Sequence, residues 1–308
     1  MIDFSSSKKT LVVVLGPTAI GKTALAIDLA IRLKTEIVSA DSRQFYREMS
    51  IGVAKPDFHE MSQVPHHFIG FLSIDREFNA GQYELEALNK LNQLFETHTH
   101  VICTGGSMLY LDALLNGLDE LPTDSEVRKS LMKSLEQNGL SKLVDQLQKL
   151  DPDYAASSDL NNPRRVIRAL EVCAITGKPF SQLRLKSKKV RNFEIVKIGL
   201  RSERNWLYER INLRVDEMMS KGLLEEVKSL IPFKTLNALN TVGYQEIFAY
   251  LDGDSTLEEA MDLIKQHTRN YAKRQMTWWK RDSEIQWIEA DQSENSVEKV
   301  LQILLNHT

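Results

Sequence analysis

Leu11-Val12-Val13-Val14-Leu15-Gly16-Pro17-Thr18-Ala19-Ile20-Gly21-Lys22-Thr23 is the stretch on which the reading of the fold turns. A short, β-branched apolar run over residues 11–15 ends in a Gly-Pro turn. From residue 23 to residue 33 apolar residues then recur at helical spacing, so strand, loop and helix follow one another. Between them, Gly16 to Thr23 satisfies the phosphate-loop pattern G-x-x-x-x-G-K-[ST] in the context that gives the pattern its meaning. Glycines let the backbone wrap so that its N–H groups converge on phosphate oxygens, and the helix start adds partial positive charge. Lys22 neutralises a terminal phosphate and Thr23 offers a hydroxyl to Mg²⁺. Gly16, Pro17, Thr18, Ala19, Ile20, Gly21, Lys22 and Thr23 are therefore the candidate diphosphate-binding residues, with Thr23 the candidate metal ligand.

Working outward, residues 36–40 read as a second strand ending on Asp41. Helical patterning returns over 82–95, and 101–104 is a third buried strand followed by Gly105-Gly106. Strands alternating with helices predict a parallel sheet covered on both faces. After Leu121-Pro122 the chain turns helical to about residue 185 and ends in a basic segment, 186–191. Residues 194–200 are again strand-like, 204–230 and 257–280 are amphipathic helices, and 284–288 forms a last strand. The expected fold is α/β: a P-loop NTPase-like parallel sheet flanked by helices over residues 1–121 and 192–308, with a mostly α-helical insertion over 122–191.

The chain has 308 residues, 42% of them hydrophobic and 26% charged, enough for one large domain or two smaller ones. Its polar N-terminus leads into only five apolar residues, too few for a signal sequence or a membrane span, so a cytoplasmic protein without membrane association is expected. Cys103 and Cys173 lie far apart without metal-ligand spacing and read as small buried hydrophobes. The net charge of -3 is unevenly placed. Residues 164–191 carry nine basic residues against the single acid Glu171, and residues 265–281 carry six with no acid. Such runs are as readily solvated faces as anion sites.

Three features bear on the chemistry. A phosphate-loop NTPase needs an acid at the end of a second apolar strand, yet Val101-Ile102-Cys103-Thr104 ends in Gly105, Gly106 and Ser107. Phosphates that act as a leaving group are compatible with that absence. Asp41, at a strand end facing the ligand crevice of a parallel sheet, is either a general base or, with Ser42, the cap of a following helix. Asn162-Pro163 is a helix start followed by Arg164, Arg165 and Arg168, cations set against the helix dipole. The apolar stripe Val166, Leu170, Cys173, Ala174 does not account for these arginines, whereas a bound polyanion does. In the last long helix Tyr271, Arg274, Trp278 and Arg281 share a face, beside Arg269, Lys273 and Lys280. That mixture suits stacked bases and phosphates of RNA, with one of Trp278 and Trp279 belonging to the core.

Taken together these stretches resemble the bacterial tRNA dimethylallyltransferase family over essentially the whole chain. The resemblance is carried by Gly16 to Thr23, Asp41-Ser42-Arg43-Gln44 with Tyr46, Ile51-Gly52-Val53-Ala54-Lys55-Pro56, and Pro65-His66-His67. It continues through Thr104-Gly105-Gly106-Ser107-Met108-Leu109-Tyr110, the Asn162 to Leu170 segment with Thr176-Gly177-Lys178-Pro179, Val242-Gly243-Tyr244 and Lys273-Arg274-Gln275. The sequence departs from the family at Ile20, Ser107 and Gln245, and in the short connection from Leu230 to Thr241.

The resemblance implies transfer of a dimethylallyl group from dimethylallyl diphosphate to the adenosine beside the anticodon, on its 3′ side, in tRNAs reading codons that begin with U. With it the expected partner is the anticodon stem-loop of a tRNA, Mg²⁺ at Thr23 is the cofactor expected from the phosphate loop, and a monomer is expected. By the same resemblance Asp41 is the general base, and Lys22 and Ser107 complete the catalytic set. Asp41, Ser42, Arg43, Gln44, Arg128, Arg164, Arg165, Val166, Ile167, Arg168, Lys273, Arg274, Gln275, Trp278 and Lys280 touch tRNA. A P-loop kinase of a small metabolite and a non-catalytic RNA-binding module are the alternative readings of the motifs.

Overall fold

The apolar run at residues 11–15 becomes the centre of a sheet because every one of its side chains finds cover. In the computed structural model, which describes residues 8–185, 188–290 and 296–307, β1 spans Thr10–Leu15 and all six residues are buried. Leu11, Val13 and Leu15 pack on one side with Tyr83, Leu91 and Leu111. Val12 and Val14 pack on the other with Leu25, Leu29 and Ile211. Alternate residues of a strand point to opposite faces, so an unbroken apolar run requires helices on both. At about 1.5–3 kcal/mol for each large apolar side chain removed from water, this strand is a principal anchor of the fold.

The chain divides into two units, residues 1–115 with 191–308, and residues 116–190. In the first, β2 (Ile37–Ser39), β3 (His66–His67), β4 (His100–Thr104), β5 (Glu194–Arg201) and β6 (Gln286–Glu289) join β1 in a six-stranded sheet of order β3-β2-β4-β1-β5-β6. Each neighbouring pair runs parallel. Leu11 lies opposite Val101 of β4 and Ile195 of β5. Helices Lys22–Leu33, Ala80–Leu94, Met108–Asn116, Arg204–Ser220 and Leu257–Trp279 are the longer ones flanking it, with Ser296–His307 at the C-terminal end. The α/β class read from the alternation of strands and helices is thus the one observed. None of the described helices is long and apolar enough to cross a membrane. Lys186, part of the basic run read from the sequence, lies outside the described residues.

Several elements differ from their sequence reading. The stretch read as one helix, 204–230, is two, Arg204–Ser220 and Leu223–Ser229, broken where Gly222 takes φ 97°. The strand β3 has only two residues, too few for alternation to register. Helix Tyr244–Leu251 follows Gly243 and was not anticipated, nor was Ser296–His307, although Val300, Leu301 and Leu304 lie on its buried face.

The second unit is helical: Ser125–Leu150, which is broken at Gly139, then Pro152–Ser157, Pro163–Thr176 and Phe180–Leu183. Its core gathers Leu143, Leu147, Tyr154, Val166, Leu170 and Phe180. Cys173 is buried in this unit, and Cys103 is buried in the sheet. Burial pushes the Cys103 thiol up to about 12, which keeps it an inert hydrophobe.

The break at Gly222 turns the helix Leu223–Ser229 so that Glu226 becomes a fastening point. Its carboxylate accepts the backbone N–H groups of Ser50, Ile51 and Gly52 at 3.0, 2.8 and 3.0 Å. The fully buried Tyr244 donates its hydroxyl to the same group at 2.6 Å. A carboxylate offers four acceptor sites and an amide offers two, with donors in place of the others. Glu226→Gln therefore sets donors against donors, and a loss of about 1–3 kcal/mol of stability is expected from the groups left unmatched. Urea denaturation checks this through a lower midpoint at unchanged slope.

Candidate active site

The loop after β1 is shaped by what it lies against. A side chain at Gly16, whose φ is 141°, would come 2.7 Å from the Leu200 carbonyl of β5, so only glycine lets the loop leave the sheet here. Gly21 then starts the helix Lys22–Leu33 with no side-chain cap, which leaves the first-turn N–H groups facing the loop. Lys22 donates its ammonium to the Pro17 carbonyl at 2.8 Å. Burial first, and then the positive charge of Arg214, bring the Lys22 pKa down to about 7, against an opposing pull from Asp41.

Two arginines of helix Arg204–Ser220 complete this cationic loop. Arg210 Nε donates to the Ala19 carbonyl at 2.9 Å, and Arg214 Nη1 to the Thr18 hydroxyl at 3.4 Å. Burial and then the neighbouring Arg210 pull the Arg214 guanidinium below its ordinary range. Sequence reading passed over both, because their helix carries no motif. The signal available was their spacing of four, which puts both on one helix face.

The opposite wall is built from the ends of β2 and β4. Ala40 donates its N–H to the Thr104 carbonyl at 2.7 Å, and the Thr104 hydroxyl donates to the Val14 carbonyl at 3.0 Å. Asp41 follows directly. Its Oδ1 accepts the Arg43 N–H at 3.1 Å, so it does cap the following turn. Its Oδ2 lies beside Gly106, 3.2 Å from where a β-carbon there would stand. Cap and base are compatible, because each uses a different oxygen. Ser107 Oγ accepts the Ser42 N–H at 2.8 Å and donates to Ser42 Oγ at 2.9 Å, fixing the turn that carries Asp41. The Gly106 carbonyl receives Tyr271 Oη at 2.8 Å and Gln275 Nε2 at 2.9 Å. Burial and then the charge of Asp41 push the Tyr271 phenol well up.

The residues read as RNA contacts separate into several groups. Arg43 donates to the carbonyls of Asn237 and Asn240 at 3.0 and 3.2 Å. Gln44 donates to those of Val53 and Ala54 at 3.2 and 3.0 Å, so both side chains brace the backbone around Asp41. Lys273 and Arg274 are exposed on helix Leu257–Trp279 and Lys280 is exposed just past its end, with Arg274 over the Tyr271 ring. Trp278 is half-buried beside them and Trp279 is the core tryptophan. Gln275, on the same helix, is fully buried, so an RNA contact through its side chain has no surface to use.

Within the helical unit, Arg164 and Arg165 are exposed at the helix start, with their N–H groups capped by Asn162. Val166 and Ile167 lie in the core, so only their backbone is left to offer an RNA. Arg168 corrects the reading that packing leaves these arginines unexplained. It pairs with Glu171 at 2.8 Å and donates to the carbonyls of Leu121 and Pro122. Arg128 pairs with the same carboxylate at 2.8 Å. Burial would raise the Glu171 pKa, but hydrogen bonds from Arg128, Arg168 and the Asp124 N–H outweigh it and hold the carboxyl below its usual range.

The IPP transferase family model matches residues 44–282. The chain is similar to tRNA dimethylallyltransferase 1 of Bacteroides thetaiotaomicron, 49% identical over 290 residues, 94% of each chain. It is similar to the tRNA dimethylallyltransferase of Christiangramia forsetii, 47% identical over 96% of this chain and 98% of that one. Among solved structures it superposes on a tRNA isopentenylpyrophosphate transferase of Bacillus halodurans with a TM-score of 0.69 at 37% identity, covering 97% and 95% of the two chains. It superposes on a eukaryotic dimethylallyltransferase captured acting on tRNA with a TM-score of 0.79 at 27% identity, covering 96% and 78%.

The depressed Lys22 fixes the sign of a proton linkage. With its pKa lowered to about 7 the Lys22 ammonium gives up its proton more readily than a solvated lysine, and an entering polyanion favours the charged form, so proton uptake at this lysine is the expected accompaniment of pyrophosphate binding at pH 8. The folded pKa also lies below the unfolded value, so the unfolded chain binds more protons and this group's contribution to stability rises with pH from about 7 to about 10.5. Calorimetry of pyrophosphate binding at pH 8 in buffers of different ionisation enthalpy reads the uptake. Lys22→Arg, which stays charged, is expected to bind with up to about one proton less uptake than the wild type.

Proposed function

The chain belongs to the IPP transferase family, and on that premise we propose that it transfers a dimethylallyl group from dimethylallyl diphosphate to the exocyclic N6 amine of an adenosine in tRNA, releasing diphosphate. The adenosine is the one 3′-adjacent to the anticodon in tRNAs reading codons that begin with U. The observation that carries this reading is a cationic loop built for phosphates facing Asp41 across Gly106. An acid at the end of β4, which nucleotide hydrolysis would use, is replaced there by Gly105-Gly106-Ser107.

The two substrates have unequal chemistry. An adenine amine is a weak nucleophile because its lone pair is delocalised into the ring, whereas an allylic diphosphate ionises readily. Stabilising the leaving group therefore contributes most. The allylic C–O bond breaks with its electron pair remaining on diphosphate, and Lys22, Arg210, Arg214 and the loop N–H groups meet the charge that develops. The new bond forms from N6 to the allylic carbon, and the amine proton passes to Asp41 Oδ2, the oxygen not engaged in the cap. Ser107 holds the turn that presents it.

A divalent cation fits the donor set. The described residues contain no cluster of acids, histidines or cysteines for a dedicated cage, and Mg²⁺ commonly takes one or two protein oxygens, several waters and substrate phosphates. Thr23 would supply the protein oxygen, and the ion would neutralise diphosphate charge. The target base leaves its stack to reach such a pocket, at a few kcal/mol in an RNA loop. Exposed Arg164, Arg165, Lys273, Arg274 and Lys280 are the side chains assigned to tRNA phosphates in this reading, which takes the working unit as a cytoplasmic monomer.

Incubation with labelled dimethylallyl diphosphate, tRNA and Mg²⁺ tests the proposal. Pyrophosphate is expected in step with modified adenosine and without ATP, while stoichiometric ATP consumption would point to a kinase. Lys22→Ala is expected to lose transfer by orders of magnitude, and Asp41→Asn to lower turnover by about 10²- to 10⁴-fold with substrate affinities kept.

The salt dependence of tRNA binding tests the basic surface separately. Replacing Arg164 and Arg165 with alanine is expected to flatten the slope of log K against log salt by about 0.7–0.9 per lost phosphate contact. An unchanged slope and affinity would return both to a solvated face.

A further inference from the structure

The sheet order sets the loop after β1 and the turn after β2 on either side of β4, so the Gly105-Gly106 segment separates the phosphate loop from Asp41. One side chain spans that separation. Gln275, fully buried on helix Leu257–Trp279, accepts the Thr18 N–H on its Oε1 at 2.9 Å and donates Nε2 to the Gly106 carbonyl at 2.9 Å. A β-carbon at Gly106 would stand 3.0 Å from Gln275 Nε2 and 3.2 Å from Asp41 Oδ2, so the amide and the carboxylate both border Gly106.

We infer that Gln275 is a positioning residue for the transfer: its amide bridges the phosphate loop to the Gly106 wall and sets the distance from the leaving group to Asp41. An amide matches both ends at once at every pH, because Thr18 presents a donor and Gly106 an acceptor. Leucine fills similar space but leaves the half-buried Thr18 N–H unmatched and weakens the hold on the Gly106 carbonyl, which then keeps Tyr271. Ionised glutamate sets an oxygen against the Gly106 carbonyl and adds charge beside Asp41. Neutral glutamic acid restores both bonds, its O–H donating where Nε2 did. Ionisable groups on the elements this amide joins are Asp41 beside Gly106, Tyr271 on the same carbonyl with Arg274 and Arg43 acting on it, Lys22 in the loop, and Arg210 and Arg214 bonded to that loop.

This inference rests on the proposed transfer reaction, and its test separates the two. Inorganic pyrophosphate with Mg²⁺ reports on the loop without RNA, and tRNA binding reports on the RNA surface without donor. With Gln275→Leu we expect kcat at saturating substrates to fall by about 10- to 100-fold, as misplacement of reacting groups by an ångström does. Its tRNA affinity should stay within about twofold, since the side chain has no exposed surface. Gln275→Glu, compared with wild type on the same preparation across pH 5.5 to 8.5, is expected to gain relative kcat as pH falls and its carboxyl protonates. Weakened tRNA binding with unchanged kcat would make Gln275 an RNA contact and overturn the inference. So would a lowered melting temperature with kcat per folded molecule kept in both variants. Absence of prenyl transfer by the wild type, with pyrophosphate still bound, would instead remove the reaction assignment.

Discussion

Lys22 folds its ammonium onto the Pro17 carbonyl, where burial and then the charge of Arg214 depress its pKa, and this concentration of positive charge in a largely buried loop is the constraint around which the molecule is arranged. Burying cations is unfavourable unless an anion joins them, so such a loop holds its shape only if the surrounding elements impose it. Gly16 presses against the Leu200 carbonyl, Arg210 holds the Ala19 carbonyl, and Gln275 holds the Thr18 N–H. Three elements that are distant in sequence, β5, the helix after it and the helix Leu257–Trp279, thus supply what the loop lacks in itself. The loop's affinity for phosphate and its need for support have the same origin.

The acceptor side is held by hydrogen bonds in series. Asp41 follows the end of β2, Ser107 fixes Ser42, Gln44 reaches the carbonyls of Val53 and Ala54, and Glu226 with Tyr244 fastens the turn at Ser50 to Gly52. The carboxylate proposed as the base sits at the end of this series, with one oxygen committed to the cap and the other beside Gly106. Residues that the family resemblance marks for RNA are, in this part of the chain, largely braces for the residue that would meet the base. The Val242-Gly243-Tyr244 segment acquires the same kind of role, since Tyr244 is wholly buried.

In the helical unit a similar economy appears on a smaller scale. Glu171 is fully buried and takes Arg128, Arg168 and the Asp124 N–H, so Arg128 and, from the basic run, Arg168 hold the unit's own structure. Arg164 and Arg165 remain at the exposed helix start. A count of basic residues treats Arg164, Arg165 and Arg168 alike, while the position of one carboxylate marks Arg168 out as a brace.

The sequence by itself determined the strand, loop and helix at residues 10–33, the α/β class, the parallel sheet and the helical character of 125–183, because alternation, helical period and the glycine-lysine loop are local chemistry written in consecutive residues. It also marked Lys22, Asp41 and Ser107, which the fold brings to the facing ends of β1, β2 and β4. It did not mark Arg210 and Arg214, which have no motif, nor separate Arg168 from Arg165, nor reveal that Gln275 faces inward while Arg274 beside it is exposed. Those assignments were decided by tertiary structure alone. Whether a polar side chain is a ligand contact, a brace or a buried crossbar depends on which donor or acceptor waits opposite it, and here that partner lies up to 257 residues away along the chain.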